Sequence, residues 1–409
     1  MHILFLTDNF PPEVNAPASR TFEHCREWVK LGERVTVITC VPNFPKGKVF
    51  SGYKNRLWQA ETIEGIRVIR IWSYITANEG FVRRSLDYVS FMVSATIASL
   101  FVKKVDVVIG TSPQFFTVCA AYVVGLLRRI PWVFELRDIW PESIKAVGSM
   151  GDGFFYRSLE KLELFLYKKA SRIIALTHSF KRELVLRGIS AEKIDVITNG
   201  VDLSLFQPRS KNQALLKKLG LEDQFVAGYI GTIGMAHGLE ILVEAAEILQ
   251  GMPAAGNIHI LILGDGARKG VLKRLSDQKQ LKNITFVDAV PKSEVSDYWS
   301  LLDISIIHLK KDPLFEKVIP SKLFECMAME IPVLHGVSGE SADMVTYHQV
   351  GEVFESGDAD KLSALISSLN QNSLVLNAMK SKGALAAKTY NRSYLAAMML
   401  ASIQKIQTI

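Results

Sequence analysis

Residues 229–246 read YIGTIGMAHGLEILVEAA, and this stretch decides how the chain is read. An apolar run breaks at Gly231, Gly234 and Gly238, then resumes with Leu239, Leu242 and Val243 at helical spacing. The pattern is strand, tight turn, helix. The glycines let backbone approach a ligand closely, and the start of the helix offers free N–H groups to a phosphate. Such turns also join strands to helices in α/β proteins generally, so one alone names no ligand. A second, LILGDGARKGVLKRL (261–275), follows another apolar run and brings Arg268 and Lys269 beside it. Ligands of open α/β sheets bind beyond the carboxyl ends of the strands, so two such turns in one domain support each other.

Around this centre the strand-like runs form two series. HILFLT (2–7), RVTVITC (34–40), IRVIRIW (66–72), VDVVIGTS (105–112), WVFEL (132–136), RIIALT (172–177) and KIDVIT (193–198) make the first. FVAGYIGTI (225–233), HILILG (259–264), ITFVDA (284–289), DISIIHL (303–309) and IPVLHG (331–336) make the second. β-branched runs alternating with helical segments such as 18–31 and 155–170 predict parallel sheets covered on both faces. At 409 residues the chain exceeds one ordinary core, and 48% hydrophobic with 22% charged residues is a folded composition. The expected class is α/β, two Rossmann-like doubly wound domains facing across a cleft, an architecture suited to joining two substrates. The seam is expected after NGVDLSLFQP (199–208), before a polar helix at 210–219.

Charge is distributed unevenly. Residues 1–200 hold 27 Lys and Arg against 19 Asp and Glu, whereas 201–409 hold 21 against 22, which points to an anionic partner for the first half. Zinc-finger spacing and RNP-type aromatics are missing, so nucleic acid is not expected. LDYVSFMVSATIASLFV (86–102), flanked by Arg83-Arg84 and Lys103-Lys104, is too short to span a bilayer with ease. It reads as a helix packed on the sheet, one face of which meets an anionic membrane surface. Cys25, Cys40, Cys119 and Cys326 form no CxxC pair, and MHILFLTDNF reads as a buried strand rather than a signal peptide. A reduced, cytosolic setting is expected.

A third loop-to-helix junction is FEKVIPSKLFECMAMEIPVL (315–334). Pro320 fixes the chain before the helix, Ser321 is placed to cap it, and the amides around Ile319–Leu323 face an anion. Glu325, one turn in, either accepts hydrogen bonds from a ribose diol or complements the helix dipole. In the first half, NAPASR (15–20) follows the first strand. Asn15, Ala16 and Ala18 are small enough for close approach, and Arg20 is placed to meet a phosphate. LRDIWPE (136–142) puts Arg137, Asp138 and Glu142 just beyond a strand, as site residues or as an internal ion pair. Asp358-Ala359-Asp360 has the spacing of a metal-binding DxD, but Asp358 reads as a helix cap, and no metal site is expected.

The ordered set NGVD (199–202), GTIGMAHGLE, GDGARKGVL and PSKLFECMAMEIPVL resembles family 4 glycosyltransferases, which have the GT-B fold. DNFPPEVNAPASR (8–20), VPNFPKG (41–47), TSPQFF (111–116) and LRDIWPES (136–143) narrow the resemblance to bacterial polysaccharide enzymes of the WbuB type, transferases of N-acetyl-L-fucosamine in O-antigen and capsule synthesis. The resemblance covers essentially the whole chain. It implies transfer of a sugar from a nucleotide sugar, a UDP-linked one, with retention at the anomeric carbon and without a metal or other cofactor. The donor would lie against Gly231, Thr232, Gly234, Gly264, Arg268 and Lys269, and against Pro320, Ser321, Lys322 and Leu323. Glu325 resembles the second glutamate of the family's E-x7-E motif. Lys317 stands where the first belongs, with Glu316 one residue early, and His237 stands where relatives have a phosphate-binding lysine. Asp138 resembles the polar position near the transferred sugar, with Arg137 in place of a histidine. Asn15, Ala16 and Arg20 would face acceptor or phosphate.

The resemblance further implies an acceptor domain at 1–205, a nucleotide-sugar domain at 206–387, and a helix at about 388–409 crossing back to the first. The acceptor would be a lipid-linked saccharide, and the protein would sit on the cytoplasmic face of the bacterial plasma membrane. Two other readings stay open: a UDP-sugar 2-epimerase on the same fold, and an inactive nucleotide-sugar-binding protein.

Overall fold

The structure is a computed structural model that describes residues 1–44, 46–76, 81–139, 153–291 and 293–408. It divides into two compact units, Met1–Thr198 with Arg392–Ile409, and Asn199–Asn391.

The first unit is built on an eight-stranded sheet in the order β3-β4-β2-β1-β5-β6-β7-β8. Its strands are β1 (His2–Leu6), β2 (Arg34–Cys40), β3 (Trp58–Ile63), β4 (Ile66–Ile71), β5 (Val107–Thr111), β6 (Trp132–Leu136), β7 (Arg172–Ala175) and β8 (Ile194–Val196). Seven of these coincide with the apolar runs seen in the sequence. β3 does not, because it is the edge strand: it pairs only with β4, antiparallel, and no residue in it is fully buried. Glu64 and Gly65, at φ 45° and 81°, make the tight turn between the two. All other pairs in the sheet are parallel, with Ile3 opposite both Val35 and Val107. β1 therefore lies where the strand order reverses, the position that opens a crevice at the carboxyl ends.

Helices α1 (Ala16–Lys30), α2 (Phe81–Leu100), α3 (Phe115–Arg128), α4 (Phe154–Lys169) and α5 (His178–Leu186) belong to this unit. The C-terminal helix Arg392–Gln404 returns to it and packs on α1. Residues 388–391 stay with the second unit. Trp28 of α1 donates its indole N–H to the Ala396 carbonyl at 2.8 Å, so the returning helix satisfies a buried donor as well as covering apolar surface. Leu395, Met399, Leu400 and Ile403 share one core with Phe5, Trp28, Val37 and Ile109. α2 packs on α3 but leaves Leu86, Val89, Val93, Ile97 and Leu100 exposed along one stripe.

The second unit has a six-stranded, wholly parallel sheet in the order β11-β10-β9-β12-β13-β14. The strands are β9 (Phe225–Ile230), β10 (Ile258–Leu263), β11 (Ile284–Val287), β12 (Ile304–His308), β13 (Val333–Gly336) and β14 (Gly351–Val353). β14 has too few apolar residues to register in the sequence; two of its three residues are exposed. The helices are α6 (Gln213–Leu219), α7 (Glu240–Gln250), α8 (Lys269–Gln278), α9 (Val295–Trp299), α10 (Lys322–Ala328), α11 (Glu340–His348), α12 (Ala359–Gln371) and α13 (Ser373–Thr389). The central strands are buried on both faces. Val226, Ile230, Leu261 and Ile307 pack with Trp299, Leu323 and Phe324, while Ala227, Tyr229, Ile260 and Ile306 pack with Leu242 and Leu362. The order reverses between β9 and β12, which sets the Gly231 turn and the exit of β12 side by side. Asp358 accepts the Lys361 N–H at 2.8 Å and caps α12, the role its sequence context suggested.

The C-terminal helix thus completes the first unit's core. Met399→Ala, which empties a site with no exposed surface, is expected to destabilise that unit by about 2–4 kcal/mol. Chemical denaturation with a probe on the first unit would measure it.

Candidate functional site

Two glycine turns at the carboxyl end of the second unit's sheet are built against each other. The Gly231 N–H donates to Leu263 O at 2.9 Å and the Ile233 N–H to Asp265 O at 2.8 Å. A Cβ on Gly264, whose φ is 150°, would lie 1.8 Å from the Gly231 carbonyl oxygen. Gly264 is therefore needed for turn-on-turn packing, whereas the sequence suggested that it approaches a donor. Gly231, at φ 146°, turns its bare side elsewhere: a Cβ there would stand 3.0 Å from Lys322 Nζ. The Tyr229 hydroxyl donates to Thr232 O at 2.7 Å and holds this turn from beneath, with Thr232 itself exposed.

The cations expected beside the turns separate into two kinds. Arg268 gives both Nε and Nη2 to Glu240, the first residue of α7, with Nε at 2.8 Å. Lys269 is buried, and its ammonium donates to Gly264 O at 2.7 Å, to Val287 O at 3.1 Å and to Asp288 at 2.5 Å. Both cations serve as braces for the loops after β9, β10 and β11. Lys322 differs. Its Nζ is buried, lies 3.6 Å from the centroid of the Tyr229 ring, and has no hydrogen-bond partner among the described residues. Burial pushes Lys322 down to about 7, with Cys326 and Glu325 opposing that shift.

His237 stands opposite, edge-on to the Tyr229 ring. Its Nδ1 is also buried without a partner among the described residues. Burial, with the Lys322 charge adding to it, pushes His237 down to about 4, so the ring is neutral at pH 7. His308, at the end of β12, fixes this loop. Its Nδ1 donates to His237 O at 2.7 Å, and its Nε2 accepts the Gly357 N–H at 3.1 Å. Those two bonds specify its tautomer. Two unpartnered polar atoms, Lys322 Nζ and His237 Nδ1, thus sit beside the Gly231–Gly234 turn.

Along the third junction the outcome is mixed. Ser321 occupies the cap position of α10 but has helical backbone angles, and its side chain makes no capping bond. The Leu323 amide donates to Pro320 O at 3.0 Å and its side chain is core, so Leu323 presents nothing to a ligand. Glu325 is half-buried one turn into the helix. Glu316 is exposed, and its carbonyl packs against Gly339, where a Cβ would come within 2.1 Å. Lys317 is half-buried.

In the first unit the residues expected to face a phosphate are structural. Asn15 caps α1 by accepting the Ala18 N–H at 2.9 Å and donates to Asn9 at 2.6 Å. Ala16 is exposed beside it. Arg20, in place of an outward phosphate contact, bonds Glu135 at 2.9 Å and the carbonyls of Thr198 and Ile197 at 2.8 and 3.2 Å. Burial works against the Glu135 carboxylate, but the Arg20 and Arg137 guanidinium groups outweigh it and hold the carboxyl below its ordinary value. Burial also pushes Arg137 down to about 10, with Glu135 opposing. The Arg137 guanidinium thus lies in the field of Glu135, while its Nη1 donates to Pro17 O at 3.3 Å. Ser112 accepts the Arg137 N–H at 2.8 Å and the Asp138 N–H at 3.3 Å, which sets Asp138 at the carboxyl end of β6. Glu142 lies outside the described residues.

Tyr229, His308 and Glu135 were missed in the sequence because each lies inside an apolar run, where it reads as filling. Gly264→Ala is expected to cost about 3 kcal/mol or more through backbone collision and an unfavourable φ, a loss that thermal unfolding of the second unit would register.

Residues 15–200 match the glycosyl transferase 4-like domain, and residues 211–386 match the glycosyl transferases group 1 domain. The chain is similar to an Escherichia coli K12 protein that carries the provisional name colanic acid biosynthesis glycosyl transferase WcaI, with 26% identity over 80% of this chain and 81% of that one. It is also similar to a Bacillus subtilis 168 protein with the provisional name teichuronic acid biosynthesis glycosyltransferase TuaC, with 28% identity over 56% of this chain and 53% of that one. Among solved structures, sucrose-phosphate synthase from Thermosynechococcus elongatus superposes with a TM-score of 0.77 at 15% identity, covering 100% of this chain and 99% of that one. Anabaena HepE, crystallised with UDP, superposes at 0.71 and 15%, covering 99% and 100%. With one domain model matched across each unit and the same architecture in those structures, the chain belongs to the GT-B glycosyltransferases, its first unit 4-like and its second of group 1.

Proposed function

We propose that this glycosyltransferase moves a sugar, with retention and without a metal, from a nucleotide sugar to a lipid-linked saccharide in bacterial surface-polysaccharide synthesis. The observation that carries the reading is the turn Gly231–Gly234 with Lys322 Nζ and His237 Nδ1 beside it, both buried and without a hydrogen-bond partner among the described residues. Buried groups of that kind suit an anion that supplies the missing partners. Relatives named for colanic acid and teichuronic acid synthesis support the polysaccharide setting, and a neighbour crystallised with UDP supports a UDP-linked donor. N-acetyl-L-fucosamine, as in the O-antigen and capsule enzymes, is the first sugar to test.

In this reading the donor diphosphate lies against the Gly231–Gly234 turn and Lys322, and Glu325 accepts from the ribose. The departing nucleoside diphosphate is stabilised electrostatically while the acceptor hydroxyl attacks from the same face. Glu316, Arg137 and Asp138 are the residues proposed to act nearest the transferred sugar, with Ala16 on the acceptor side. The exposed stripe of α2, with Arg83, Arg84, Lys103 and Lys104 at its ends, is proposed to rest on anionic lipid at the cytoplasmic face of the membrane. No described helix is long and apolar enough to cross a membrane.

Turnover of a panel of UDP- and GDP-sugars, with and without lipid-linked acceptor, tests the reaction. Transfer only with acceptor, an unchanged anomeric configuration by NMR, insensitivity to EDTA, and a loss of about tenfold or more in Glu325→Ala are expected. Epimerisation without acceptor, or tight binding with no turnover, would favour the two other readings. Attachment to vesicles containing anionic lipid is expected to fail in high salt and when Arg83, Arg84, Lys103 and Lys104 are changed to Glu. Unchanged binding under both conditions would sink the electrostatic attachment.

A further inference from the structure

We propose that Lys322 is the cation that meets the donor's diphosphate, and that it takes up a proton from solvent as the nucleotide sugar binds. The inference rests on the donor-site reading above and adds to it a proton-linked charge.

Two of the cations beside the glycine turns are already engaged. Arg268 is engaged by Glu240, and Lys269 by two carbonyls and Asp288. The position ahead of Gly238-Leu239 is His237, neutral at pH 7. Lys322 Nζ, by contrast, lies over the Tyr229 ring and faces the open side of Gly231, buried and without a hydrogen bond among the described residues. It reaches this place because it is the first residue of α10 and its side chain runs back toward the switch point between β9 and β12.

An ammonium there is short of counter-charge. Tyr229 and His237 face it from β9 and the turn that follows, with His308 behind His237. Cys326 and Glu325 act from its own helix. Burial raises Tyr229 beyond its ordinary value and lifts Cys326 to about 12, so both remain neutral near pH 7. His308 is held below its ordinary value, chiefly by burial. Burial is the larger influence on the amine and the nearby Glu325 carboxylate does not offset it, which brings Lys322 down to about 7.

A diphosphate placed against Nζ reverses that balance. The amine gains one proton from solvent, one N–H bond forms, and no other bond changes. Below about pH 6 the amine is already charged and binding takes up nothing. Above about pH 7 uptake approaches one proton per nucleotide sugar, and affinity falls by up to about tenfold per pH unit until the raised, bound-state value is reached.

Calorimetry of the full chain with UDP-glucose, UDP-N-acetylglucosamine and GDP-mannose tests this, because these diphosphate diesters have no phosphate proton titrating near neutrality. Titrations at pH 6, 7, 8 and 9, each in two buffers of different ionisation heat, count the protons. The wild type is expected to show uptake rising from near zero at pH 6 toward one at pH 8 and above. Lys322→Arg, always charged, is expected to bind without uptake, and Lys322→Gln to lose at least about tenfold in affinity at pH 7. Circular dichroism and thermal unfolding check that both variants fold. Binding by the wild type with no uptake and no pH dependence would overturn the proposal and leave the donor-site reading standing. Lys322→Gln binding as tightly as the wild type would also overturn it. Failure of every nucleotide sugar to bind at any pH would overturn both.

Discussion

The contact between the Gly231 carbonyl and the bare α-carbon of Gly264 governs the second unit's site. Two loops leave adjacent parallel strands and must pass closer than any side chain permits, since a Cβ on Gly264 would stand 1.8 Å from that oxygen. Their closeness lets the first turn be pinned by Leu263 and Asp265 from one side and by the Tyr229 hydroxyl from below. A turn fixed on two sides keeps its open face in place, and that face looks toward Lys322. In the donor-site reading proposed above, such a preorganised backbone would meet the departing diphosphate without having to move as charge develops.

Both units pair most of their buried cations with carboxylates from distant parts of the chain. In the first, Arg20 and Arg137 converge on Glu135, and the guanidinium of Arg20 also satisfies two carbonyls near the end of β8. That arrangement joins α1, β6 and the chain leaving β8. In the second, Arg268 and Lys269 each meet a carboxylate, while Lys322 Nζ has no hydrogen-bond partner among the described residues. Burying an amine without a partner is unfavourable, so its pKa falls instead of its charge being compensated. Balanced cations stabilise loops; an unbalanced one beside a fixed turn is available to a ligand.

Most of the fold was legible in the sequence, because parallel strands buried on both faces are continuous apolar runs of β-branched residues. β1, β2, β4 to β8 and β9 to β13 all announce themselves in this way. β3 and β14 do not, since an edge or very short strand is defined by its partner's backbone and needs no apolar run of its own. The glycine turns and the P-S-K-L-F-E junction were equally legible as places. Their roles were not. Arg268, Lys269, Gly264, Leu323 and Arg20 have residue types that suit a ligand, yet each is occupied by the protein itself.

By itself the sequence determined two doubly wound units and the glycine turns beyond their strands, since those follow from local periodicity and turn chemistry, whereas the division falls between Thr198 and Asn199, ahead of the segment 199–208 after which it was expected. Which side chains remain free in those loops was decided by tertiary structure alone. Whether a cation faces a ligand or a carboxylate depends on what stands across from it, and that neighbour comes from elsewhere in the chain. Glu240 lies 28 residues from Arg268 and Glu135 lies 115 from Arg20. Tyr229, under the Lys322 ammonium, comes from a strand 93 residues before it in the numbering. Local pattern carries no trace of such pairings, because they are fixed only when the strands take their order in the sheet.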